Sequence, residues 1–261
     1  MNKLGVIGAG NMGAAIINGI NKSGMDVKVY AYDKFTEKLK TLPVTACADE
    51  ISVIKECKYI LLAVKPQMLG EVLDTIATAV TDDTVFISIC AGISAEFIRS
   101  HTIENAKVVL VMPNTPMMLG LGASAMSCDE LVTEEEFAFA RSVIGSCGIT
   151  EVVPSDKMKE VIAINGSSPA FIYLYAKGFV DYAAEVGIDK DCALKLFAQT
   201  LVGSAKMLTD SGMTVDELIK QVSSPGGTTI AGLEKLYDGD ITGDVKRACN
   251  ACTKRAYELG Q

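Results

Sequence analysis

The chain has 261 residues, of which 49% are hydrophobic and 21% are charged, and this is enough material for two domains with buried cores. Its formal net charge is −8, and neither half carries a basic stripe. We therefore expect neither nucleic acid nor an anionic membrane as a main partner.

Short apolar runs rich in valine and isoleucine predict buried strands in the first half of the chain. They cover residues 3–7, 27–32, 58–64, 84–90 and 107–112, with a weaker run at 44–47. Helical patterns lie at 11–24, 34–41, 48–56, 66–80 and 94–100. Alternation of strand and helix predicts an α/β fold with a Rossmann-type, doubly wound parallel sheet. Strands at 122–127 and 149–153, with a helix at 133–146, extend its edge.

The strand pattern stops after Pro154, which divides the chain into an α/β domain at 1–154 and an all-α domain at 155–261. Helices are predicted at about 156–164, 169–187, 189–211, 214–222, 227–238 and 241–259. The stretch Pro169 to Ala176 is apolar on every side, which indicates a helix that is buried all round. A domain this short has little protein to surround the helix. We therefore expect a second copy of the chain to cover this helix.

A glycine-rich turn, Gly8-Ala9-Gly10-Asn11-Met12-Gly13, follows the first predicted strand and opens the first predicted helix. In the dinucleotide-binding fingerprint the first glycine allows a tight turn and the second lets the backbone approach a pyrophosphate. The third permits close packing of helix and strand. An ordinary tight turn is the alternative. The position between strand and helix favours a dinucleotide, and we assign all the residues of this turn to the cofactor.

Two residues at the end of the second predicted strand leave the choice between NADH and NADPH open. Asp33 lies where a carboxylate can accept a hydrogen bond from a ribose 2′-hydroxyl, which favours NADH. The adjacent Lys34 can instead attract the 2′-phosphate of NADPH. The alternative role for Asp33 is to cap a helix. We assign both residues to the cofactor site.

The loops after the later strands supply further cofactor candidates, because the carboxyl ends of parallel strands form the ligand crevice. Ala63-Val64-Lys65-Pro66 ends the fourth strand, and Lys65 can face the cofactor's phosphates or its nicotinamide ribose. Ala91 and Gly92 follow the next strand. Asn114, held between two prolines, can orient a ring amide. The alternatives are an exposed lysine before a helix that starts with proline, and a plain turn.

A second anion site is predicted at Ser224-Pro225-Gly226-Gly227-Thr228-Thr229, just before a helical pattern. A glycine turn that opens a helix presents free N–H groups and the positive end of the helix dipole, which suits a small carboxylate. Helix capping by the threonines is the alternative. One anion site for a cofactor and one for a small acid indicate an enzyme that acts on an acid.

The sequence lacks the residues that several kinds of catalytic or metal site require. His101 is the only histidine and lies at a predicted helix end, so we expect no Ser-His-Asp triad and no metal site. Eight scattered cysteines suit reduced thiols, and Cys249 and Cys252 form a lone C-x-x-C. No signal-peptide pattern precedes the first strand, and no apolar run is long enough to span a bilayer, so we expect a cytoplasmic protein.

Together these motifs resemble those of the pyrroline-5-carboxylate reductase family over nearly the whole chain. The matching blocks are Gly8 to Gly13, Ala63 to Pro66, Val111 to Pro116, Gly166 to Ala170 and Ser223 to Leu233. The resemblance implies a Rossmann domain followed by a helical dimerisation domain, and reduction of 1-pyrroline-5-carboxylate to L-proline with NADPH or NADH. It also implies a homodimer, which in many members forms a ring of dimers.

The family pattern is not followed everywhere. Leu110 stands where many members have arginine, and Thr214-Val215 replaces a common His-Pro pair. Asn165 and Ser168 occupy positions that are often a small residue and glycine. These departures bear on substrate preference and loop geometry, and the sequence does not report feedback inhibition by proline.

The resemblance implies that the Gly-Gly-Thr-Thr turn holds the substrate carboxylate. We expect the N–H groups of Gly226 to Thr228, with the hydroxyl of Thr228 or Ser224, to bind it. Thr229 is the catalytic candidate, as a hydrogen-bond partner of the ring nitrogen that helps its protonation. The imino acid is the predicted substrate.

Three other functions are consistent with parts of the sequence. A β-hydroxyacid dehydrogenase shares the two-domain plan, but it needs a lysine at the head of the long helix, where this chain has Ser168-Pro169-Ala170. A reductase of a different cyclic imino acid fits better than a dehydrogenase. A catalytically silent dinucleotide-binding protein is the third alternative. Consumption of NADPH or NADH with pyrroline-5-carboxylate separates them.

Overall fold

The predicted fold class is confirmed by a computed structural model, which describes residues 2–259. Eight strands form one sheet in the order β3-β2-β1-β4-β5-β6-β7-β8. The strands are β1 (Asn2–Ile7), β2 (Val27–Tyr32), β3 (Thr45–Ala46), β4 (Tyr59–Leu62), β5 (Val85–Ser88), β6 (Lys107–Met112), β7 (Gly122–Cys128) and β8 (Gly148–Val152). From β1 the chain adds β2 and β3 on one side, and it then crosses to add β4 on the other side of β1. The direction in which strands are added therefore reverses at β1. In open α/β sheets this switch point is where ligands bind.

The sheet is parallel from β3 through β6, and β7 then pairs antiparallel with β6. β8 is parallel to β7, so the last two strands extend the predicted edge in the reverse direction. The helices around the sheet are α1 (Asn11–Ser23), α2 (Glu50–Glu56), α3 (Pro66–Ile76), α4 (Ala95–His101) and α5 (Glu134–Gly145). α1 and α5 pack in one hydrophobic cluster and α2, α3 and α4 in another, as a doubly wound fold requires.

The second half is helical, as predicted. Its α-helices are α6 (Ser168–Glu185), α7 (Lys190–Asp210), α8 (Val215–Gln221), α9 (Thr228–Asp238) and α10 (Ile241–Leu259). Stacking of Phe179 on Phe197, with ring centroids 4.1 Å apart, joins α6 to α7. No described helix has the length and apolar character that a membrane crossing requires.

Two predicted α-helices are replaced by other helical forms. The pattern at 34–41 is a 3-10 helix at Thr36–Thr41. The pattern at 156–164 is a 3-10 turn at Ser155–Lys157 followed by a π-helical turn at Ile162–Gly166. The wider turn allows the Asn165 side chain to donate hydrogen bonds to the carbonyls of Met112 and Ala123, at 2.6 and 2.9 Å. Sequence periodicity does not contain this long-range contact.

Contacts divide the described chain into two compact units. One contains the residues up to Ser167 together with those from Ala251 onward, and the other is Ser168–Asn250. The functional division at 1–154 and 155–261 stays a prediction. Within the second unit α6 leaves large apolar side chains exposed, including Tyr173 at 62% and Leu174 at 70%. Its covering by a second copy also stays a prediction.

Candidate active site

The three fingerprint glycines between β1 and α1 have different surroundings. Gly8 has a φ of +100°, and a Cβ there would lie 2.6 Å from the Ala63 carbonyl oxygen. A Cβ on Gly13 would overlap the carbonyl oxygen of Gly8. At Gly10, by contrast, a Cβ would have no protein atom within 4 Å. Packing therefore requires glycine at the first and third positions, whereas Gly10 leaves a surface that a ligand backbone can approach.

The N-terminus of α1 provides unpaired donors at the same place. Gly10 is its N-cap and supplies no side-chain hydrogen bond. Among the described residues, no acceptor is found for the N–H groups of Asn11, Met12 and Gly13. Such N–H groups, with the positive end of the helix dipole, bind phosphate. The residues present thus fit a pyrophosphate.

A cleft of about 460 Å³ opens beside this turn. Many predicted cofactor residues line it, namely Gly8, Gly10, Asp33, Lys34, Ala63, Val64 and Lys65. Lys65 is exposed and is the N-cap of α3, whose first residue is Pro66, as the sequence indicated. Ala91 and Gly92 line a separate cavity of about 20 Å³, so the cleft does not include them.

The Asp33 carboxylate has partners within the protein, and its binding of a ribose stays a prediction. Its Oδ2 accepts a hydrogen bond from the Ala9 N–H at 2.7 Å, and its Oδ1 accepts one from the Phe35 N–H at 2.8 Å. The Lys38 ammonium lies 3.3 Å from Oδ1, and the residue is only 8% exposed. Asp33 therefore fastens the glycine turn to the end of β2.

The Asn114 side chain also has a partner within the protein. Its Oδ1 accepts the Ala123 N–H at 2.9 Å, which ties the loop after β6 to β7. The structural role that the sequence left open is therefore present at this oxygen. Binding of a ring amide stays a prediction.

The second glycine turn has the backbone conformation that its glycines allow. Gly226 has a φ of +69°, and Gly227 is the N-cap of α9 without a side-chain hydrogen bond. The Gly227 N–H donates to the Ser224 carbonyl at 3.0 Å, so this amide already has an acceptor, and its use for a carboxylate stays a prediction. In the described chain the N–H groups of Thr228 and Thr229 have no acceptor, and both side chains are exposed.

Phe35 and Lys38 are among the cleft residues that the sequence did not predict. Phe35 is 65% exposed, and Lys38 lies with its Nζ 4.9 Å from the centre of the Phe35 ring. The signal available for Lys38 was its spacing of four residues from Lys34 in a helical pattern, which places both on one side of a helix. Asn165 gave no such signal, because its contacts are with β6 and β7.

The Cys90 thiol contacts the loop after β4, which borders the cleft. Cys90 is buried, and its Sγ donates to the Val64 carbonyl at 3.3 Å. Burial raises the pKa of this thiol to about 11, so it stays protonated near neutral pH. No cluster of three or more metal-binding side chains occurs in the part of the chain that is described.

The glycine turn, the open surface at Gly10 and the cleft define a dinucleotide-binding protein of the Rossmann class. In agreement, a family model described as NADP oxidoreductase coenzyme F420-dependent matches residues 3–92. A second family model, described as pyrroline-5-carboxylate reductase dimerisation, matches residues 155–259.

Full-length relatives narrow the class. The pyrroline-5-carboxylate reductase of Methanosarcina acetivorans is 34% identical, covering 99% of this chain and 98% of the relative. Pyrroline-5-carboxylate reductase 3 of Xenopus laevis is 35% identical, covering 99% and 96%. The NADP-bound pyrroline carboxylate reductase of Plasmodium falciparum superposes with a TM-score of 0.91 at 28% identity, covering 100% of this chain and 98% of that one. The chain belongs to the pyrroline-5-carboxylate reductase family.

Proposed function

We propose that this protein reduces 1-pyrroline-5-carboxylate to L-proline with NAD(P)H, the last step of proline biosynthesis. The observation that carries the proposal is that the N–H groups of Thr228 and Thr229, at the start of α9, have no acceptor among the residues that the structure describes. A dinucleotide cleft alone would suit many oxidoreductases. A second site for a small carboxylate selects an acid as the substrate. The names of the full-length relatives support the same reaction.

The cofactor is held by the glycine turn and the cleft beside it. The N–H groups of Asn11, Met12 and Gly13 bind its pyrophosphate, and Lys65 faces its phosphates or nicotinamide ribose. When bound, the cofactor supplies the hydride that reduces the C=N bond. The protein's task is to position the reactants, because a protonated imine is already a good electrophile.

The turn before α9 holds the imino acid. The N–H groups of Gly226, Thr228 and Thr229 and the hydroxyl of Thr228 or Ser224 bind the carboxylate. Gly226 and Gly227 shape the turn, since a Cβ on Gly227 would lie 2.7 Å from the Ser224 Oγ. The Thr229 hydroxyl forms a hydrogen bond with the ring nitrogen and assists its protonation, which is the catalytic role in this proposal.

A homodimer, which can assemble further into a ring of dimers, is the proposed form of the protein. The exposed apolar side chains of α6 and the match to a dimerisation family model support it. We place the protein in the cytoplasm, with the imino acid as its partner and with neither nucleic acid nor membrane. The net charge of −8 supports this choice of partners.

The test is a cofactor-oxidation assay with purified protein and 1-pyrroline-5-carboxylate, followed by chromatographic detection of L-proline. Oxidation of the cofactor with stoichiometric proline is the expected result. Faster turnover of a six-membered cyclic imino acid would favour the related imine reductase. Nucleotide binding without turnover of either compound would leave a silent dinucleotide-binding protein.

A further inference from the structure

We infer that Asn165 is a positioning residue for the nicotinamide half of the cofactor. Its side-chain amide fixes the rim loop after β6, which comprises residues 113–115, and it acts through the backbone of Met112 and Ala123. The inference rests on the proposed function for the reaction that the positioned ring performs. The positioning itself can be tested without any imino acid.

The Asn165 side chain joins β6 to β7 at the point where the two strands separate. The strands are paired as far as Met112, which lies opposite Ala125. The next residue, Pro113, has no N–H to donate. There the Asn165 Nδ2 donates to the carbonyls of Met112 and Ala123, at 2.6 and 2.9 Å. One amide group therefore holds together two strand ends that the paired register no longer includes.

Asn165 and Asn114 hold the same residue of β7. The Ala123 N–H donates to the Asn114 Oδ1 at 2.9 Å, and the Ala123 carbonyl accepts from Asn165. Asn114 is the predicted partner of the nicotinamide ring amide, so Asn165 acts on it through a single residue. Gly166 packs so closely on Met112 that a Cβ would lie 2.4 Å from the Met112 Cε. The π-helical turn thus fixes Met112 through its carbonyl and its side chain.

The rim loop lies at the edge of the sheet that receives the nicotinamide half. A doubly wound sheet binds one half of the dinucleotide on each side of its switch point. The glycine turn follows β1 and the adenosine ribose binds at the end of β2, so the carboxyl ends of β4, β5 and β6 receive the other half. Met112, at the end of β6, lines one small cavity with Ala91 and Gly92, which follow β5. A displaced Met112 would therefore move the surface that receives the ring.

The energetics of the contact favour positioning over stability as its role. The Asn165 Oδ1 is buried, and no described residue donates a hydrogen bond to it. A buried acceptor without a donor costs about as much as one or two hydrogen bonds contribute, so the two bonds from Nδ2 are largely offset. Rotation of the amide would not relieve this cost, because it would place Oδ1 against two carbonyl oxygens. Asn165 therefore matters more for the geometry of the rim loop than for stability.

The emission of the reduced cofactor tests this inference without substrate, because it comes from the nicotinamide ring and changes when the ring is immobilised. NADPH or NADH is used, whichever binds the wild-type protein more tightly. Asn165→Leu has nearly the same shape as the wild-type side chain but no donor. At saturating cofactor we expect this variant to lose most of the emission change that the wild type shows. The matching ADP-ribose, which lacks the ring, should bind both proteins with equal affinity in calorimetric titrations.

The melting temperature shows whether the substitution acts through stability instead. We expect Asn165→Leu to lower it by no more than about 4 °C, because the two hydrogen bonds are largely offset. If this variant does not fold, Asn165→Ala takes its place with the same expectations, and failure of both to fold would make Asn165 a structural residue. That outcome, a wild type without an emission change, an unchanged emission in the variant, or weaker binding of the ADP-ribose would each overturn the inference.

Glu136→Gln is the matched control, because Glu136 binds Lys107 at the opposite end of β6. It alters a buried polar contact of the same strand away from the rim loop. We expect it to leave the emission of the bound cofactor unchanged even where it lowers the melting temperature. An equal loss of emission in this variant would show that any weakening of β6 has the same effect, and the assignment to Asn165 would fail.

Turnover separates this inference from the proposed reaction. With 1-pyrroline-5-carboxylate, Asn165→Leu should lower kcat by about tenfold or more, because misplacement of the reacting atoms by about 1 Å costs up to a hundredfold. The KM for the imino acid should not change. A higher KM with wild-type kcat would assign Asn165 to substrate binding and overturn its positioning role. If the wild-type protein does not turn over this substrate, the proposed reaction fails, and the emission and ADP-ribose results still decide the role of Asn165.

Discussion

At the scale of single residues, the fingerprint glycines differ in what a side chain would meet. Gly10 has no neighbour that a Cβ would touch, whereas Gly8 has a φ of +100° and lies against the Ala63 carbonyl. We therefore expect Gly10→Ala to weaken cofactor binding by tenfold or more, at a cost in the free energy of unfolding below about 1 kcal/mol. Gly8→Ala should instead destabilise the fold by more than about 2 kcal/mol.

Calorimetric titration with NADP⁺ and urea unfolding of each variant measure these two effects. The contrast between the variants is the informative result, because each serves as the control for the other. Unchanged cofactor affinity in Gly10→Ala would show that the pyrophosphate does not approach this position. The binding proposal for the turn would then be wrong.

Thr229 is the residue for which a chemical role is proposed beyond binding. Removal of its hydroxyl in Thr229→Ala should lower turnover by roughly a hundredfold, since protonation of the ring nitrogen loses its partner. The dissociation constant of the cofactor should not change. Thr229→Ser keeps a hydroxyl and should recover most of the turnover. Steady-state kinetics with saturating imino acid measure the turnover, and NADP⁺ titrations measure the dissociation constant of the cofactor. Wild-type turnover in Thr229→Ala would refute the catalytic role of Thr229.

At the scale of elements, α5 is fixed to the sheet by a buried carboxylate. Glu136 completes the capping box with Thr133, and its Oε1 accepts hydrogen bonds from Lys58 and Lys107 at 2.8 and 2.9 Å. Burial alone would raise the pKa of Glu136. The hydrogen bonds from the two lysines and the Thr133 N–H outweigh it and lower the pKa from 4.5 to about 2.

A carboxyl group whose pKa is lower in the folded state than in the unfolded state stabilises the fold at pH values above its unfolded pKa. This stabilisation is lost as the pH falls through the folded pKa. Glu136 should therefore contribute up to roughly 3 kcal/mol at neutral pH, with the loss between about pH 4.5 and 2. We expect Glu136→Gln to be less stable than wild type at pH 7, and the difference to shrink by more than half at pH 3. Urea unfolding at both pH values measures it. A difference independent of pH would contradict the charge argument, and Glu134→Gln on the same helix is the control.

Elements differ in how far the sequence predicts them. The strands were found because a strand covered on both faces must be apolar throughout, as Tyr59–Leu62 is. The π-helical turn at Ile162–Gly166 was missed because the Asn165 contacts to β6 and β7 form only in the folded protein. In the candidate site, too, local features were predicted and long-range contacts were not. Glycine spacing predicted the cofactor turn, but the bond between Ala9 and Asp33 joins residues that share no local pattern.

At the scale of the whole molecule, the burial of the cysteines predicts which of them a reagent can reach. Burial raises the pKa of Cys57 to about 12, and that of Cys90 to about 11, so neither should react readily. Cys192 is the exposed cysteine among those described, on α7. Alkylation of the native protein, followed by peptide mass mapping, should therefore modify Cys192 first. Equal modification of Cys57 in the native protein would contradict the described core.

The exposed apolar side chains of α6 lead to a prediction about the oligomeric state of the protein. Leu174 is 70% exposed within one chain, and transfer of such a side chain from water contributes about 2 kcal/mol. If a second copy covers α6, light scattering should give the mass of a dimer or a multiple of it. Leu174→Lys should then shift the protein towards monomer, because the interface would bury an unpaired charge. Leu119→Lys, at a leucine near β7 that is 80% exposed, should keep at least the dimer. A wild-type protein that elutes as a monomer would leave α6 to some other partner.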